Sequence, residues 1–439
     1  MTGDPREIID REPMSRFQWG VVAIMVGLNA LDGFDVLAIS FASPGIVKDW
    51  GIDRAALGLV LSMELIGMAI GSIVLGGVAD RFGRRATILG CLVVMAAGMY
   101  AASTADDVVA LSVWRVLTGL GIGGMLATTN AAVSEASNAA RRSLAVVLMA
   151  AGYPLGAIIG GSISSVLLKH YDWQIVFQFG AVVTLCFIPI VLWRAPESIA
   201  FEMQRRRPGT LDVVNRTLAR MGHGAIAALP PEQAAPARQP LGALFSPALL
   251  RVTLLITLAY TAQIMTFYFM LKWIPKIVVD MGFDPSSAGT ILVFANLGGL
   301  AGSLVLGFLT MRIGVRTLTI VTMAFSAIMV SWFGRGQTSY VELATVAAIT
   351  GFFTNAGVVG LYALLAQSFP TGVRATGTGF AIGVGRGGSA LAPALAGVLF
   401  VAGYGLQTVA ILMASGSVIA MFALLVLGGK RAASQGDAL

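Results

Sequence analysis

The chain has 439 residues and a net charge of +7, with 56% hydrophobic and only 12% charged residues. Its mean hydropathy is +0.83. A soluble domain carries about 25% charged residues, so this composition excludes an ordinary globular enzyme and points to a polytopic membrane protein. The basic residues flank apolar runs and form no solvent-facing stripe, which excludes nucleic acid as a partner and makes the lipid bilayer one.

Residues 1–16 mix both charge signs and lead straight into an apolar run of full span length, so they read as a retained N-terminus, not a cleaved signal. Six apolar runs are expected near 17–42, 55–78, 86–105, 108–130, 142–168 and 172–194. A polar, Arg- and Pro-rich stretch over 195–246 follows, with a short amphipathic helix expected near 210–221. Six more runs lie near 247–271, 286–310, 315–334, 339–366, 374–402 and 404–428. Each is long enough for a bilayer, which takes roughly 20 apolar residues. The 53 glycines suit helices that approach closely in lipid. Cys91 and Cys186 both sit in apolar runs, so neither a disulfide nor a metal site is indicated.

The first run contains Leu31-Asp32-Gly33-Phe34-Asp35. A charge at membrane depth costs about 2.5–3.5 kcal/mol and marks a functional position. Asp32 and Asp35 are three apart, near one helix face, and cannot both carry charge cheaply there. A structural pair at a Gly33 kink is the alternative. By helical rise, Glu64 in the second run and Arg115 in the fourth lie at comparable depth. Acids facing an arginine are what proton coupling requires, so Asp32, Asp35, Glu64 and Arg115 are the expected coupling set.

Lys and Arg set the orientation. Of the 29 basic residues, 21 flank the runs on the side of the termini. Six flank the other side, Lys272 and Lys276 among them, and Arg115 and Arg386 fall inside spans. Both termini are therefore expected in the cytoplasm. An internal repeat divides the runs. Gly76-x3-Asp80-Arg81-x-Gly83-Arg84-Arg85 returns as Gly307-x3-Met311-Arg312-x-Gly314-Val315-Arg316, and Glu135-x6-Arg142 as Gln367-x6-Arg374. Two such halves related by an axis along the membrane normal are a transporter architecture.

These residues resemble the major facilitator superfamily over nearly the whole chain. Gly76 to Arg85 looks like that family's loop between the second and third spans, and Arg115-Val116-Leu117-Thr118-Gly119 like its fourth-span motif. Gly152-Tyr153-Pro154-Leu155-Gly156 resembles its fifth span, and Phe369 to Gly377 is typical of it. The first-span Asp32-Gly33-Phe34-Asp35 is similar to the aromatic acid:proton symporter branch. The resemblance implies an all-α major facilitator fold of about 12 transmembrane helices in two pseudo-symmetric six-helix halves. These are 1–194 and 247–439, joined by a cytoplasmic linker over 195–246. It implies a gate at Asp80, Arg81, Gly83, Arg84 and Arg85. Glu64 is placed by depth and not by the resemblance, and Met311 stands where the first half has Asp80.

The expected function is proton-coupled import of a small benzoate-type carboxylate by alternating access, in the inner membrane of a bacterium, as a monomer. The proton gradient supplies the drive and no cofactor is expected. There is no Gly-Lys-Ser/Thr nucleotide loop, and neither His170 nor His223 is placed for a proton relay. Arg386, mid-way along the eleventh run, is expected to grip the carboxylate through two parallel hydrogen bonds. Ring contacts are expected from Phe34, Tyr260, Gln263 and Phe267, with Tyr268 beside them, and polar contacts from Asn296 and Asn355. A proton/drug or metabolite antiporter, an importer of another organic anion and a non-transporting receptor are the alternatives. An enzyme is not expected, for want of a catalytic constellation.

Overall fold

Backbone polar groups in a bilayer have no water to bond, so apolar runs must satisfy them internally, and helices do this. The computed structural model describes residues 4–231, 241–370 and 373–436. Among the described residues, twelve helices are long and apolar enough to cross a membrane. A short α1 (Pro5–Arg11) precedes α2 (Arg16–Trp50), α3 (Arg54–Phe82), α4 (Arg84–Ser103), α5 (Val108–Ala136), α6 (Arg142–Leu167) and α7 (Gln174–Arg194). Two short helices, α8 (Ile199–Arg205) and α9 (Thr210–Met221), occupy the central stretch. Then come α10 (Leu250–Asp280), α11 (Pro285–Leu309), α12 (Val315–Phe333), α13 (Tyr340–Ser368), α14 (Arg374–Val401) and α15 (Leu406–Gly436). Pro236, Arg238, Thr371 and Gly372 lie outside the described residues, as do the side chains of Asp80 and Arg374.

Several spans run past their expected ends, α2 and α10 among them. Helix α2 continues through Pro44 to Trp50. Proline lacks the N–H that would bond the Ser40 carbonyl, and the Ser43 hydroxyl donates to that oxygen instead, at 2.8 Å. Helix α10 carries on from the expected end near 271 to Asp280, because Trp273, Ile274, Ile277 and Val278 extend its buried face. Lys272, read from sequence as a loop flank, is therefore inside a span and fully buried.

Helix α9 occupies the stretch expected to be amphipathic. Its Val214, Leu218 and Met221 join Ile9 of α1 and Ile199 and Met203 of α8 in a small apolar cluster. Helix α9 also packs on α2, and this cluster caps the face of the protein that carries the termini.

Within the first six spans α3 packs on α5, α2 on α6 and α4 on α7; within the last six α11 packs on α13, and α10 on α14 and α15. Some crossings leave no room for a side chain. A Cβ on Gly156 would lie 1.7 Å from the Ala30 carbonyl oxygen, and one on Gly33 would lie 2.0 Å from that of Tyr153. Helices α2 and α6 thus touch backbone to backbone, through weak contacts that only glycine permits.

The two sets of spans meet through α3 with α14, α6 with α11, and α2 with α10. Much of this seam lies toward the face opposite the termini. There Arg54 pairs with Asp280 at 2.9 Å, the Trp273 indole donates to the Pro393 carbonyl at 3.2 Å, and the Ala394 amide donates to the Ser62 hydroxyl at 3.1 Å. The seam is closed on that face.

Gly156→Val should destabilise the protein by about 1–3 kcal/mol or more, the cost of overpacking. A Cβ on Gly20 meets nothing within 4 Å, so Gly20→Ala should be neutral or slightly stabilising, as alanine favours the helix. Thermal unfolding of the purified variants checks the pair; equal melting temperatures would contradict this reading of the α2–α6 crossing.

Candidate functional site

Both first-span acids are buried, at 1% exposure for Asp32 and 0% for Asp35, so neither faces lipid. None of their four carboxylate oxygens has a hydrogen-bond partner among the described residues. The two carboxyls are within electrostatic reach of each other, and their other neighbours differ. Asp35 lies beside Gly180 of α7 and within electrostatic reach of Arg115 and Glu64. Asp32 lies within reach of Arg386, from the other half.

Arg386 is half-buried on α14. It donates across the seam to the Met68 carbonyl of α3 at 3.0 Å. The ring of Tyr260 lies against the α14 backbone at Gly385, the residue before it. Tyr260 and Tyr362 share a hydroxyl–hydroxyl hydrogen bond of 3.0 Å.

Glu64 is the hub of a buried ion cluster. Its carboxylate pairs with Arg115 of α5 through one oxygen and with Lys272 of α10 through the other, at 3.1 Å. All three side chains have 0% exposure. Arg115 also donates to the Asp35 carbonyl at 2.9 Å and stacks over Phe177. Lys272 donates to the next carbonyl, that of Val36. The partner of Arg115 is thus Glu64 and not a first-span carboxylate. Sequence alone ends the apolar run one residue before Lys272; Trp273, Ile274, Ile277, Val278 and Val279 beyond it are the signal that the helix continues.

The aromatic and amide candidates separate into two groups. Phe267, Asn296 and Asn355 line a cavity between α6, α10, α11 and α13, together with Tyr153 and Pro154 from the first half. In this state it encloses about 40 Å³, room for a water or two. Tyr268 lies on the same helix as Phe267 and within reach of both Tyr153 and Arg386. Gln263 is fully buried and donates to the Thr354 carbonyl at 3.1 Å. Phe34 packs edge-on to Phe179 at 5.3 Å, wedged against Gly160 of α6 and away from the seam.

At the terminal face, Gly83 turns the chain from α3 into α4 with φ of 104°. Glu197, just beyond α7, accepts from the backbone amides of Arg84 at 2.7 Å and Arg85 at 3.2 Å. Arg84 further pairs with Glu135 at 2.9 Å, Arg85 donates to the Leu192 carbonyl, and Arg81 lies exposed over Phe82. Burial pushes the Glu197 carboxyl above its ordinary value, against the opposing pull of the three amides that bond it, from Ser198, Arg84 and Arg85. A carboxylate at the open end of α4 also meets the favourable end of the helix dipole.

Residues 25–295 and 256–438 both match the Major Facilitator Superfamily. The 4-hydroxybenzoate transporter PcaK of Pseudomonas putida is 31% identical over 88% of this chain and 87% of that protein. The gallate transporter of Pseudomonas putida is 29% identical over 98% and 96%. The 3-(3-hydroxy-phenyl)propionate transporter of Escherichia coli strain K12 is 30% identical over 92% and 93%. Among solved structures, a D-xylose-proton symporter superposes with a TM-score of 0.70 at 16% identity, over 92% of this chain and 97% of that one. That likeness shows the fold.

Glu64→Gln leaves the Arg115 and Lys272 charges buried without their counter-ion, and should cost about 3–5 kcal/mol of stability. Adding Lys272→Met should recover part of the loss, because one orphaned charge goes with it. Thermal unfolding of the single and double variants checks this; strict additivity of two losses contradicts the pairing. At Glu197, Glu197→Gln keeps an acceptor for the amides without the buried charge. It should melt above the wild type at pH 7. Because the folded pKa is raised, the wild type sheds its burden as pH falls through that pKa, so the difference should close in acid. A difference independent of pH contradicts the assignment.

Proposed function

The chain belongs to the major facilitator superfamily, and from that premise we propose that it is a proton-coupled importer of a small aromatic carboxylate, working by alternating access. The observation that carries the reading is a buried first-span carboxylate, Asp32, with both oxygens unpartnered among the described residues, within electrostatic reach of Arg386, which spans the seam to the Met68 carbonyl. The names of the relatives, transporters of 4-hydroxybenzoate, gallate and a hydroxyphenylpropionate, support the substrate class.

The coupling follows from competition for one cation. Arg386 donates to a backbone carbonyl, a neutral partner that a carboxylate outbids with two charge-assisted bonds. While Asp32 is charged it draws on the same guanidinium and repels an incoming anion. Once Asp32 takes a proton, Arg386 is free to hold the substrate. Proton and anion binding are then mutually favourable, as linkage requires for symport. Asp35, within reach of Arg115 and Glu64, passes the charge change to the ion cluster that holds the halves together.

The charge bias of the flanks argues for both termini in the cytoplasm of a bacterial inner-membrane protein, which makes the closed face the outer one. The halves 1–194 and 247–439 rock about the site, with 195–246 as their linker. Asp80, Arg81, Gly83, Arg84 and Arg85 gate the cytoplasmic side. The protein acts as a monomer, without a cofactor.

In proteoliposomes with an acidic exterior, labelled 4-hydroxybenzoate should accumulate, and a protonophore should collapse the accumulation. Asp32→Asn should keep substrate exchange but lose its response to the gradient. Arg386→Ala should weaken binding by about tenfold or more. Uptake indifferent to the pH gradient overturns proton coupling; full transport by Arg386→Ala favours an exporter of lipophilic compounds.

A further inference from the structure

Within the cavity between α6, α10, α11 and α13, the polar side chains of α13 have spent their protons elsewhere. The Asn355 amide nitrogen donates to the Gly299 carbonyl at 2.8 Å and to the Ser303 hydroxyl at 2.8 Å. An amide carries two N–H hydrogens, so both are committed. Ser303 gives its own proton to the Gly299 carbonyl at 2.9 Å, so it can only accept from Asn355. The Thr354 hydroxyl donates to the Thr350 carbonyl at 2.8 Å, which uses its single proton. What remains is the Asn355 amide oxygen and the Thr354 hydroxyl lone pairs. These cannot be exchanged for donors by flipping the amide, because oxygen would then face the Gly299 oxygen. Asn296, across the cavity wall on α11, has one hydrogen committed to the Leu292 carbonyl at 2.9 Å.

We propose that Asn355 and Thr354 form an acceptor-only wall that reads a hydroxyl group on the ring of the substrate. A wall of lone pairs is satisfied by an O–H donor and repels a carboxylate, a halogen or any other group that brings only lone pairs. It therefore also orients the cargo, hydroxyl toward α13 and carboxylate away from it, with Phe267 and Tyr153 beside the cavity for ring contact. The wall is stiff. A Cβ on Gly351 would lie 1.9 Å from the Ala295 carbonyl oxygen, so the α11 and α13 backbones are in contact and hold the acceptors in place. The cavity widens for a ring when α6, which contributes Tyr153 and Pro154, moves with the first half.

This inference rests on the aromatic carboxylate reading above, and one binding experiment separates the two. Affinities of the purified protein for benzoate, 4-fluorobenzoate, 3-hydroxybenzoate and 4-hydroxybenzoate are measured by calorimetry at one pH. At least one hydroxybenzoate should bind about tenfold tighter than benzoate, the worth of one hydrogen bond to an otherwise unmet acceptor, and 4-fluorobenzoate should gain nothing. Asn355→Leu should bring the ratio of hydroxybenzoate to benzoate affinity close to one. Thr354→Val should lower the same ratio, and it breaks no bond to another helix, so it tests the wall even where Asn355→Leu does not fold. Equal wild-type affinity for benzoate and both hydroxybenzoates overturns the wall, as do variants that weaken every ligand alike with the ratio intact. Binding of none of the four overturns the aromatic carboxylate reading itself.

Discussion

The closed seam depends on Glu64. Its carboxylate holds a guanidinium from its own half and an ammonium from the other, and all three groups are fully buried. A charge left alone at that depth costs several kcal/mol, so the members stay together or are neutralised together. Lys272 and Arg115 also grip consecutive carbonyls of α2, at Val36 and Asp35. One residue thereby ties α2, α3, α5 and α10 at a single level. The halves cannot separate there unless something takes over the charge that Lys272 or Glu64 would expose, which makes a change of shape and a movement of charge the same event.

The two halves share a helical plan but not a chemistry. The first supplies Asp32, Asp35 and Glu64; the second supplies Lys272, Arg386 and the amide groups of α11 and α13. The carboxylates proposed to exchange a proton and the cation proposed to hold an anion therefore lie on opposite sides of the seam, and each acts on the other across it. Glu64 and Lys272 are paired directly across it, and Asp32 and Arg386 are within electrostatic reach of one another. Glycine crossings such as Gly156 on Ala30 make each half stiff enough to carry these groups as a unit, because backbones in direct contact do not slide independently.

The terminal face is held differently. Glu197 closes over the backbone amides of Arg84 and Arg85, and α1, α8 and α9 cover the ends of the first-half spans with one small apolar cluster. This joins the candidate gate loop to the first residues after α7, at the start of the connecting stretch.

The spans, the repeat and the acidic pair in α2 were legible in the sequence, because hydrophobic length and charge at depth are local properties that the bilayer imposes one segment at a time. The amphipathic helix at α9 was legible for the same reason. Partnership was not local. That Arg115 pairs with Glu64, that Phe34 turns to Phe179, and that Gln263 is consumed by the Thr354 carbonyl depend on how far each helix rotates and on which helix it crosses. Lys272 shows the limit most plainly: the sequence determined that a lysine follows an apolar run, and only the tertiary structure decided whether that run had ended. It had not, because the Glu64 carboxylate, more than two hundred residues earlier in the chain, supplies the counter-charge that lets the helix continue past an ammonium group.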